Sequence, residues 1–476
     1  MLRPWKLEIQ LDANTNKALY LQIADAIILN IKSGRLQKGT ALPGSRKLAQ
    51  DLHLNRNTVV EALQVLLNEE WLVAKERKGT FVADVLPVFS QKATLISDSK
   101  EIAAKEMRQY IRFDDGDPDS KIAPVAALAR AYRQIFNRKA KWQMMGYGDP
   151  LGNHEFRKAV AQMLNQQRAM QIDEHSICIT RGSQMAMYLT AQCLFEKGDF
   201  VMVENPGYQP AWKAFENAGA NLLPVRVDRE GILIEDVKKH LETHKRIKAI
   251  YTTPHHQYPT TVTLSLQRRL ELIRLSNFFG FTIIEDDYDN EFHFGYRPIL
   301  PLSSYAELKN YVYIGTMSKV VAPALRIGYL VTNDKLIIDK VRSLRKIIDV
   351  QGDSIMEQAV LQLIQDGTIK RHLKKATNYY KTKRNFTQLM LEKYLKDKVS
   401  YSVPEGGLAF WIVLNRAIDW DLLDTKLQSN GIKIIPPDNY SFDESTVKGI
   451  RLSYGALSES QLEEGIKGLS ELFSLL

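Results

Sequence analysis

With 476 residues, the chain is too long for one ordinary domain and long enough for a core of about 350–400 residues plus a small module. Its 45% hydrophobic and 25% charged residues are typical of a globular protein, and the absence of an apolar run of about 18 residues argues against a membrane span. The net charge is +9, and residues 1–82 hold 12 Lys and Arg against 8 Asp and Glu, which suits a phosphate-contacting module but also an ordinary basic surface.

The N-terminus and the cysteines indicate where in the cell the protein is expected. The first twelve residues carry scattered charges and no apolar central region, so a signal peptide is not expected. Cys178 and Cys193 both lie in apolar sequence, which favours reduced core thiols in a cytoplasmic protein. No Cys/His spacing indicates a metal site.

The first 70 residues predict three helices. The apolar periodicity indicates one over 19–33, with Ser45 as the expected N-cap of a second over 46–52 and Asn55 as that of a third over 56–69. Two helices joined by so short a turn must cross steeply, as in a helix-turn-helix. The spacing predicts a buried face on the second helix (Leu48, Ala49, Leu52) and on the third (Val59, Val60, Leu63, Leu66, Leu67).

Residues 71–73 and 79–82 predict two short strands with a basic tip between them, the wing of a winged helix-turn-helix. Arg56 and Asn57 lie at the first turn of the third helix, off its apolar face, where a recognition helix meets base edges in the major groove. A small structural domain with solvated charges is the alternative. The residues expected at DNA are Arg46, Asn55, Arg56, Asn57, Lys78 and Gly79.

The next segment, residues 84–111, has no sustained apolar period. Its 28 residues are many for a connection inside a compact domain, so an interdomain linker is expected, with a helical turn near 101–107. The predicted organisation is therefore a DNA-binding domain over 1–83, this linker, and a second domain over 112–476.

The second domain alternates apolar strand-like runs with helical segments, which predicts an α/β fold with a mainly parallel sheet. Polar clusters follow these runs directly, at the carboxyl ends where such folds bind ligands. The runs are 176–180, 200–204, 247–253 and 281–287.

The polar clusters supply what a pyridoxal 5'-phosphate (PLP) site needs. Lys319 can bond the cofactor covalently, and Asp286 can pair with the pyridine nitrogen so that the ring withdraws electrons. Tyr288 can reach the phenolic oxygen, and Tyr208 can stack on the ring. The residues expected at the phosphate are Gly182, Ser183, Gln184, Thr316, Ser318 and Arg326.

Both halves resemble known families. Residues 17–83 contain the pattern LPxSRxLAxxLxxxRxTVxxAxxxL…GTFV and resemble the GntR family of bacterial regulators, apart from Glu70 where that family has glycine. The ordered PLP set over 112–476 resembles the fold type I aminotransferases, the aspartate aminotransferase superfamily. The combination is the architecture of the MocR subfamily of GntR-type transcription regulators.

The resemblance implies further roles. By position, Tyr147 resembles a tyrosine that reaches the cofactor phosphate of a neighbouring subunit, and Arg451 resembles an arginine that binds a substrate carboxylate. The run PHHQYPTT replaces the asparagine motif of the enzymes, so His256 or Gln257 is the expected substitute. Members of the subfamily resemble head-to-tail homodimers.

The expected function is a PLP-dependent transcription regulator that binds double-stranded operator DNA and senses a small amino-acid-like effector. Two alternatives stand beside it: a sensor of PLP itself, and an active aminotransferase carrying an accessory DNA-binding domain. Because an enzyme gains nothing from the N-terminal module, the regulator is favoured, with transamination slow or absent.

Overall fold

The computed structural model describes residues 9, 11–12, 15, 17–76, 78–87, 110–137, 145–295, 299–443 and 446–475. The chain divides into two compact units, Met1–Ala103 and Ala104–Leu476. Most of the predicted linker, with its helical turn near 101–107, falls outside the described residues, so the domain bounds stay a prediction. No described helix has both the length and the apolar character needed to cross a bilayer.

The N-terminal unit consists of three helices and a two-stranded antiparallel sheet, as predicted. Within the sheet Leu72 pairs with Val82 and Lys75 with Gly79. The elements are α1 (Leu19–Lys32), α2 (Ser45–Asp51), α3 (Arg56–Asn68), β1 (Leu72–Lys75) and β2 (Gly79–Val82).

Two details of this unit correct the sequence-based expectations. Gly44, not Ser45, precedes the first turn of α2, because Ser45 already has helical geometry and makes no side-chain cap. Val60 is 44% exposed, since the buried stripe of α3 runs through Val59, Ala62 and Leu66. The Asn55 cap is confirmed: its side chain accepts a hydrogen bond from the Asn57 amide at 2.9 Å.

The C-terminal unit is built around an eight-stranded sheet, which confirms the α/β prediction. Its strands are β4 (Ile177–Thr180), β5 (Phe200–Asn205), β6 (Asn221–Asp228), β7 (Gly231–Ile232), β8 (Ile247–Thr252), β9 (Thr282–Asp287), β10 (Tyr311–Thr316) and β11 (Gly328–Val331). The strand order is β4-β11-β10-β9-β8-β5-β6-β7. Neighbours from β10 to β6 are parallel, whereas β11 is antiparallel to β10 and β4, and β7 is antiparallel to β6.

The remaining elements of this unit flank the sheet or form a smaller subdomain. A three-stranded antiparallel sheet has the order β12-β13-β15, and β14 pairs in parallel with β3. The strands are β3 (Ile111–Arg112), β12 (Val399–Tyr401), β13 (Ala409–Leu414), β14 (Ile432–Lys433) and β15 (Ile450–Ser453). The helices are α4 (Val125–Asn137), α5 (His154–Arg168), α6 (Ser183–Leu194), α7 (Gln209–Asn217), α8 (Ile234–Thr243), α9 (Leu266–Phe279), α10 (Lys335–Ile348), α11 (Ser354–Gln365), α12 (Thr368–Leu395), α13 (Trp420–Ser429) and α14 (Glu459–Leu475).

Both faces of the large sheet are buried. Alternate strand residues belong to different apolar clusters: Ile283 packs on one face and Ile284 on the other. Side chains alternate along a strand, so Asp286 lies on the face of Ile284, at the carboxyl end of β9. The parallel strands therefore place polar side chains at one edge of the sheet, whose two faces are covered by apolar residues.

Candidate functional site

A cavity of about 200 Å³ lies at the carboxyl ends of β8, β9 and β10, beside the first turn of α6. It brings together most of the residues that the sequence predicted for a PLP site. Those lining it are Ser183, Gln184, Tyr208, Asp286, Tyr288, Thr316, Ser318, Lys319 and Arg326.

Asp286 is the buried acid of this cavity. Its Oδ2 accepts a hydrogen bond from the Tyr251 hydroxyl at 2.9 Å, while its Oδ1 has no hydrogen-bond partner among the described residues. Burial raises the pKa of the Asp286 carboxyl to about 7. A buried carboxylate with an unused oxygen would be stabilised by a ligand that brings a cationic N–H group.

Lys319 follows β10 and reaches across the cavity. Its Nζ donates to the Gly116 carbonyl oxygen at 3.1 Å and to Asp117 Oδ1 at 2.9 Å. The side chain is only 16% exposed, whereas that of Asp117 is 53% exposed. An amine so placed, in a partly closed cavity, can act as a nucleophile toward a bound carbonyl compound once it loses its proton.

The first turn of α6 and Arg326 form an anion cradle. Gly182 precedes the helix with a positive φ of 83°, and a Cβ there would lie 2.9 Å from Arg326 Nη2. A Cβ on Gly328 would lie 2.6 Å from the Gly182 carbonyl carbon, so both glycines permit close approach. Ser318 Oγ is buried and has no hydrogen-bond partner within the part of the chain that the structure describes. Free helix N–H groups, a guanidinium and a hydroxyl suit a phosphate.

Tyr208 and Tyr288 are the two predicted tyrosines among those that line the cavity. The Tyr208 ring packs edge-to-face on Tyr258 with centroids 4.9 Å apart, and burial raises the pKa of its hydroxyl above the usual value. The Tyr288 hydroxyl donates to the His256 carbonyl oxygen at 2.9 Å, and burial raises its pKa as well. Both therefore hold their protons at neutral pH and can serve as hydrogen-bond donors.

The predicted substitutes for the family's asparagine do not line the cavity. His256 Nδ1 lies 2.7 Å from Asp289 Oδ1. Gln257 Nε2 donates to the Pro206 carbonyl oxygen at 2.8 Å and to Glu204 Oε2 at 3.2 Å. Because these polar atoms are already engaged within the protein, the structure does not bring either side chain to the other predicted site residues.

Arg451 and Tyr147 also lie outside the cavity lining. Arg451 is 1% exposed; its Nη1 donates to the Pro259 carbonyl oxygen at 3.0 Å, and its guanidinium lies 4.9 Å from the Tyr258 ring centroid. Tyr147 is 90% exposed. Arg451 Nη2 also donates to the hydroxyl of the cavity-lining Tyr288 at 3.3 Å, so the guanidinium directly contacts the lining. The exposed Tyr147 side chain is available to another molecule.

Sequence reasoning missed six lining residues. Thr253, Tyr258 and Pro323 lie within or beside the motifs. The acidic run around Gly116, with Asp114, Asp115, Asp117 and Asp119, was a visible signal for two others. The missed residues are Asp115, Asp117, Tyr251, Thr253, Tyr258 and Pro323.

The predicted DNA-contacting residues lie on the surface of the N-terminal unit. Arg46 is exposed on the first turn of α2, and Asn55, Arg56 and Asn57 are exposed where α3 begins. Lys78 and Gly79 are exposed at the turn between β1 and β2, where Gly79 has a φ of 105°. The geometry offers polar and basic groups on the helix end and wing that a winged helix-turn-helix presents to DNA.

Comparisons with known proteins agree with this division. Residues 19–82 match the model of the bacterial regulatory proteins of the gntR family, and residues 108–469 match that of the class I and II aminotransferases. The chain is 26% identical to the probable rhizopine catabolism regulatory protein MocR of Rhizobium meliloti, over 98% of this chain and 96% of that protein. It is 28% identical to the HTH-type transcriptional regulator YdeL of Bacillus subtilis, over 96% and 97% respectively.

Solved structures resemble the C-terminal unit. The kynurenine aminotransferase of Pyrococcus horikoshii superposes with a TM-score of 0.73 at 26% identity, covering 81% of this chain and 97% of that one. The matches to enzymes cover only part of this chain, whereas the matches to regulators span both units. The chain therefore belongs to the class I and II aminotransferase family and, through the gntR-family segment that precedes this domain, to the MocR subfamily of GntR-type transcription regulators.

Proposed function

We propose that this protein binds PLP in the cavity at Lys319 and uses it to sense an amino compound, which changes how the N-terminal unit binds operator DNA. The observation that carries the proposal is the unpartnered Oδ1 of Asp286, buried in the same cavity as Lys319 and the anion cradle. That donor set fits a ring with a cationic nitrogen, a carbonyl group and a phosphate.

Each residue has a role in this proposal. Asp286 holds the proton at the pyridine nitrogen, Lys319 supplies the covalent link, and Arg326 and the first turn of α6 hold the phosphate. Tyr208 bounds the ring. Tyr288 would donate to the phenolic oxygen in place of the His256 carbonyl oxygen, which now accepts its single hydroxyl proton. PLP, when bound, supplies a carbonyl that captures amines and an electron-withdrawing ring.

Sensing requires that the effector binds one arrangement of the protein better than another. A ligand with equal affinity for both arrangements shifts nothing, so the effector must make contacts that differ between them. We propose a head-to-tail homodimer for this step. The exposure of Tyr147 supports it, because a residue that reaches a second copy's cofactor must be free of its own chain.

The deciding experiment measures binding of a fluorescent operator fragment with and without PLP and a panel of amines, beside a turnover assay. A regulator shows a change in operator affinity with one amine and slow or absent transamination. Steady multiple-turnover transamination without any effect on DNA would instead identify an enzyme. A response to PLP alone that no amine alters would identify a sensor of the cofactor.

The helix α3 contacts are tested by Arg56→Ala. We expect operator affinity to fall by about 1–3 kcal/mol and the preference at one base position to relax, because we propose that Arg56 binds a base edge. Competition with operators that carry single base changes measures it. Equal loss on operator and random DNA would show that Arg56 contacts only phosphate.

The wing is tested by Lys78→Ala. We expect a loss that is even across DNA sequences, with the slope of log affinity against log salt reduced by about one, because a single phosphate contact disappears. Titrations over a range of salt concentrations measure the slope. Lys309→Ala, on the exposed chain before β10, is the matched control and should leave the slope unchanged.

A further inference from the structure

A short loop after β3 binds the side chain of Lys319 in this structure. Lys319 Nζ donates to Asp117 Oδ1 at 2.9 Å and to the carbonyl oxygen of the buried Gly116 at 3.1 Å. The lysine side chain is 16% exposed, so this ion pair lies partly inside the cavity although Asp117 itself is 53% exposed. A carboxylate and a backbone oxygen therefore share one ammonium group.

The loop is held in place without the help of Lys319. Asp114 Oδ1 accepts hydrogen bonds from the amides of Gly116 and Asp117, at 3.0 and 3.1 Å. The Asp114 amide donates to Ser453 Oγ at 2.8 Å, which ties the loop to β15. The two acceptors of the lysine are therefore oriented by contacts that do not depend on where Nζ lies.

A second cation lies near this loop but has other partners. Arg451 Nη2 donates to the Asp115 carbonyl oxygen at 3.5 Å and to the Tyr288 hydroxyl at 3.3 Å. Within the described part of the chain, Lys319 is the cation that pairs with the Asp117 carboxylate. Asp117 is thus matched to Lys319 rather than to Arg451.

The contacts of Lys319 with this loop are incompatible with its covalent link to a cofactor. An ammonium nitrogen has three N–H groups and can donate to two acceptors at once. A nitrogen double-bonded to a cofactor carbon has at most one hydrogen, so it cannot keep both hydrogen bonds. The contacts with Gly116 and Asp117 are therefore made together only while Lys319 is not linked to the cofactor.

We infer that Asp117 is a positioning residue that receives the ammonium group of Lys319 when an effector amine displaces it, and so favours the effector-bound state. This inference rests on the proposed function, because it takes Lys319 to be linked to PLP beforehand. In the exchange, the effector nitrogen forms the double bond to the cofactor carbon while the bond from that carbon to Nζ breaks. Nζ takes the hydrogens that the effector nitrogen gives up, so atoms and charge balance.

This contact supplies the difference between states that sensing requires. An effector shifts an equilibrium only through contacts that differ between the two arrangements. The Lys319–Asp117 pair is made in one state and broken in the other. It lies on the loop after β3, close in sequence to the predicted linker over 84–111.

Asp117→Asn is expected to change two affinities in opposite directions. Lys319 must leave Asp117 when PLP binds the cofactor-free protein, so the variant should bind PLP about threefold more tightly. The pair forms again when an amine releases Lys319, so half-displacement should need about threefold more amine in the variant. A variant that merely disturbs the cavity would weaken both.

The first affinity is measured by titrating cofactor-free protein with PLP. For the second, PLP-loaded protein is equilibrated with propylamine, reduced with borohydride and analysed by mass spectrometry. Reduction fixes the cofactor's mass either on the Lys319 peptide or on propylamine, and their ratio gives the point of half-displacement. Glu307→Gln removes an exposed charge before β10, at the opposite end of that strand from Lys319, and should leave both values unchanged.

A double-mutant cycle separates this role from direct attraction between Asp117 and the amine. In Lys319→Ala, kept in excess PLP, propylamine reacts with the cofactor carbonyl and no lysine is released. Both effects of Asp117→Asn should therefore largely disappear in this background. Effects of the same size with and without Lys319 would overturn the inference.

Failure of this inference is distinguishable from failure of the proposed function. If wild type carries covalently bound PLP and Asp117→Asn changes neither affinity, or lowers both, the inference alone is overturned. A wild-type protein that binds no PLP would overturn the proposed function, and this inference with it.

Discussion

Lys319→Ala is expected to abolish covalent binding of PLP, seen as loss of the absorbance band at about 420 nm that the lysine-bound cofactor gives. Lys319 Nζ is the amine held inside the cavity beside Gly116 and Asp117, so its removal leaves no lysine among the described lining residues. Cofactor held only by Asp286, Arg326 and α6 should leave on dialysis.

A matched control separates this effect from a general loss of positive charge. Lys309→Ala removes an exposed lysine before β10 and should keep the band. Borohydride reduction followed by mass spectrometry should find the cofactor's mass on the peptide that contains Lys319. An undiminished band in Lys319→Ala, or the added mass on another lysine, would contradict the assignment.

The Lys319→Ala variant also tests whether the N-terminal unit folds and binds DNA independently of the cofactor. The helices and strands of the N-terminal unit enclose their own apolar core, including Ile27, Leu48, Leu66 and Val82. We therefore expect Lys319→Ala to bind operator DNA when no effector is present, and to lose the response to amines.

Much of the N-terminal unit could be predicted because its signals are local. Helix α3 begins and ends within one residue of expectation, since Asn55 caps it and the apolar spacing continues to Leu66. The error at Val60 has a simple cause: a helix turns by about 100° per residue, so the neighbour of buried Val59 points outward. Ala62 was missed because a small side chain carries little hydrophobic signal.

Residues of the candidate site could be predicted only where a reactive or polar side chain lies at the end of a recognisable strand. Asp286 lies at the carboxyl end of a recognisable apolar run, and Tyr288 and Lys319 follow such ends. Parallel strands bring these ends together. The residues that form hydrogen bonds within the site could not be predicted from strand ends. Tyr251 meets Asp286 from the neighbouring strand β8, and Asp115 meets Tyr258 across 143 positions of sequence.

Motif position alone also does not place a side chain. Arg451 occupies the family's carboxylate-binding position, yet it is not itself a lining residue. Its guanidinium donates to the Pro259 carbonyl oxygen and the Tyr288 hydroxyl and lies over the Tyr258 ring. A side chain as long as arginine can take several directions from one backbone site, and neighbouring aromatic rings decide between them.

Asp286→Asn is expected to stabilise the cofactor-free protein above neutral pH while weakening its affinity for PLP. Burial raises the pKa of this carboxyl from 3.8 to about 7. Between those values the folded protein holds a proton that the unfolded chain has released, so the contribution of Asp286 to stability falls as pH rises from about 4 to 7. Above about pH 7 the full effect applies, and the ionised carboxylate lowers the free energy of unfolding by at most about 4 kcal/mol.

Asparagine carries no charge, so the variant escapes this penalty. Its amide oxygen can still accept from the Tyr251 hydroxyl, and its neutral side chain no longer favours a protonated pyridine nitrogen. Melting temperatures of the cofactor-free variant and wild type should therefore be close at pH 5 and differ by several degrees at pH 8, with the variant higher. Three other buried carboxyls with raised pKa values are present in both proteins, so their contributions to the pH dependence of stability cancel in the comparison. They belong to Glu285, Glu291 and Glu357.

The PLP titration should move in the opposite direction, with affinity lowered at least tenfold in Asp286→Asn, because the paired charge at the ring nitrogen is lost. Opposite signs in the two measurements distinguish a ligand-binding acid from a structural one. An acid that is ionised and paired with a cation in the folded protein would instead lower the melting temperature on substitution, because asparagine loses that charge pair. Lower stability at pH 8 together with wild-type PLP affinity would therefore exclude Asp286 as the partner of the cofactor ring.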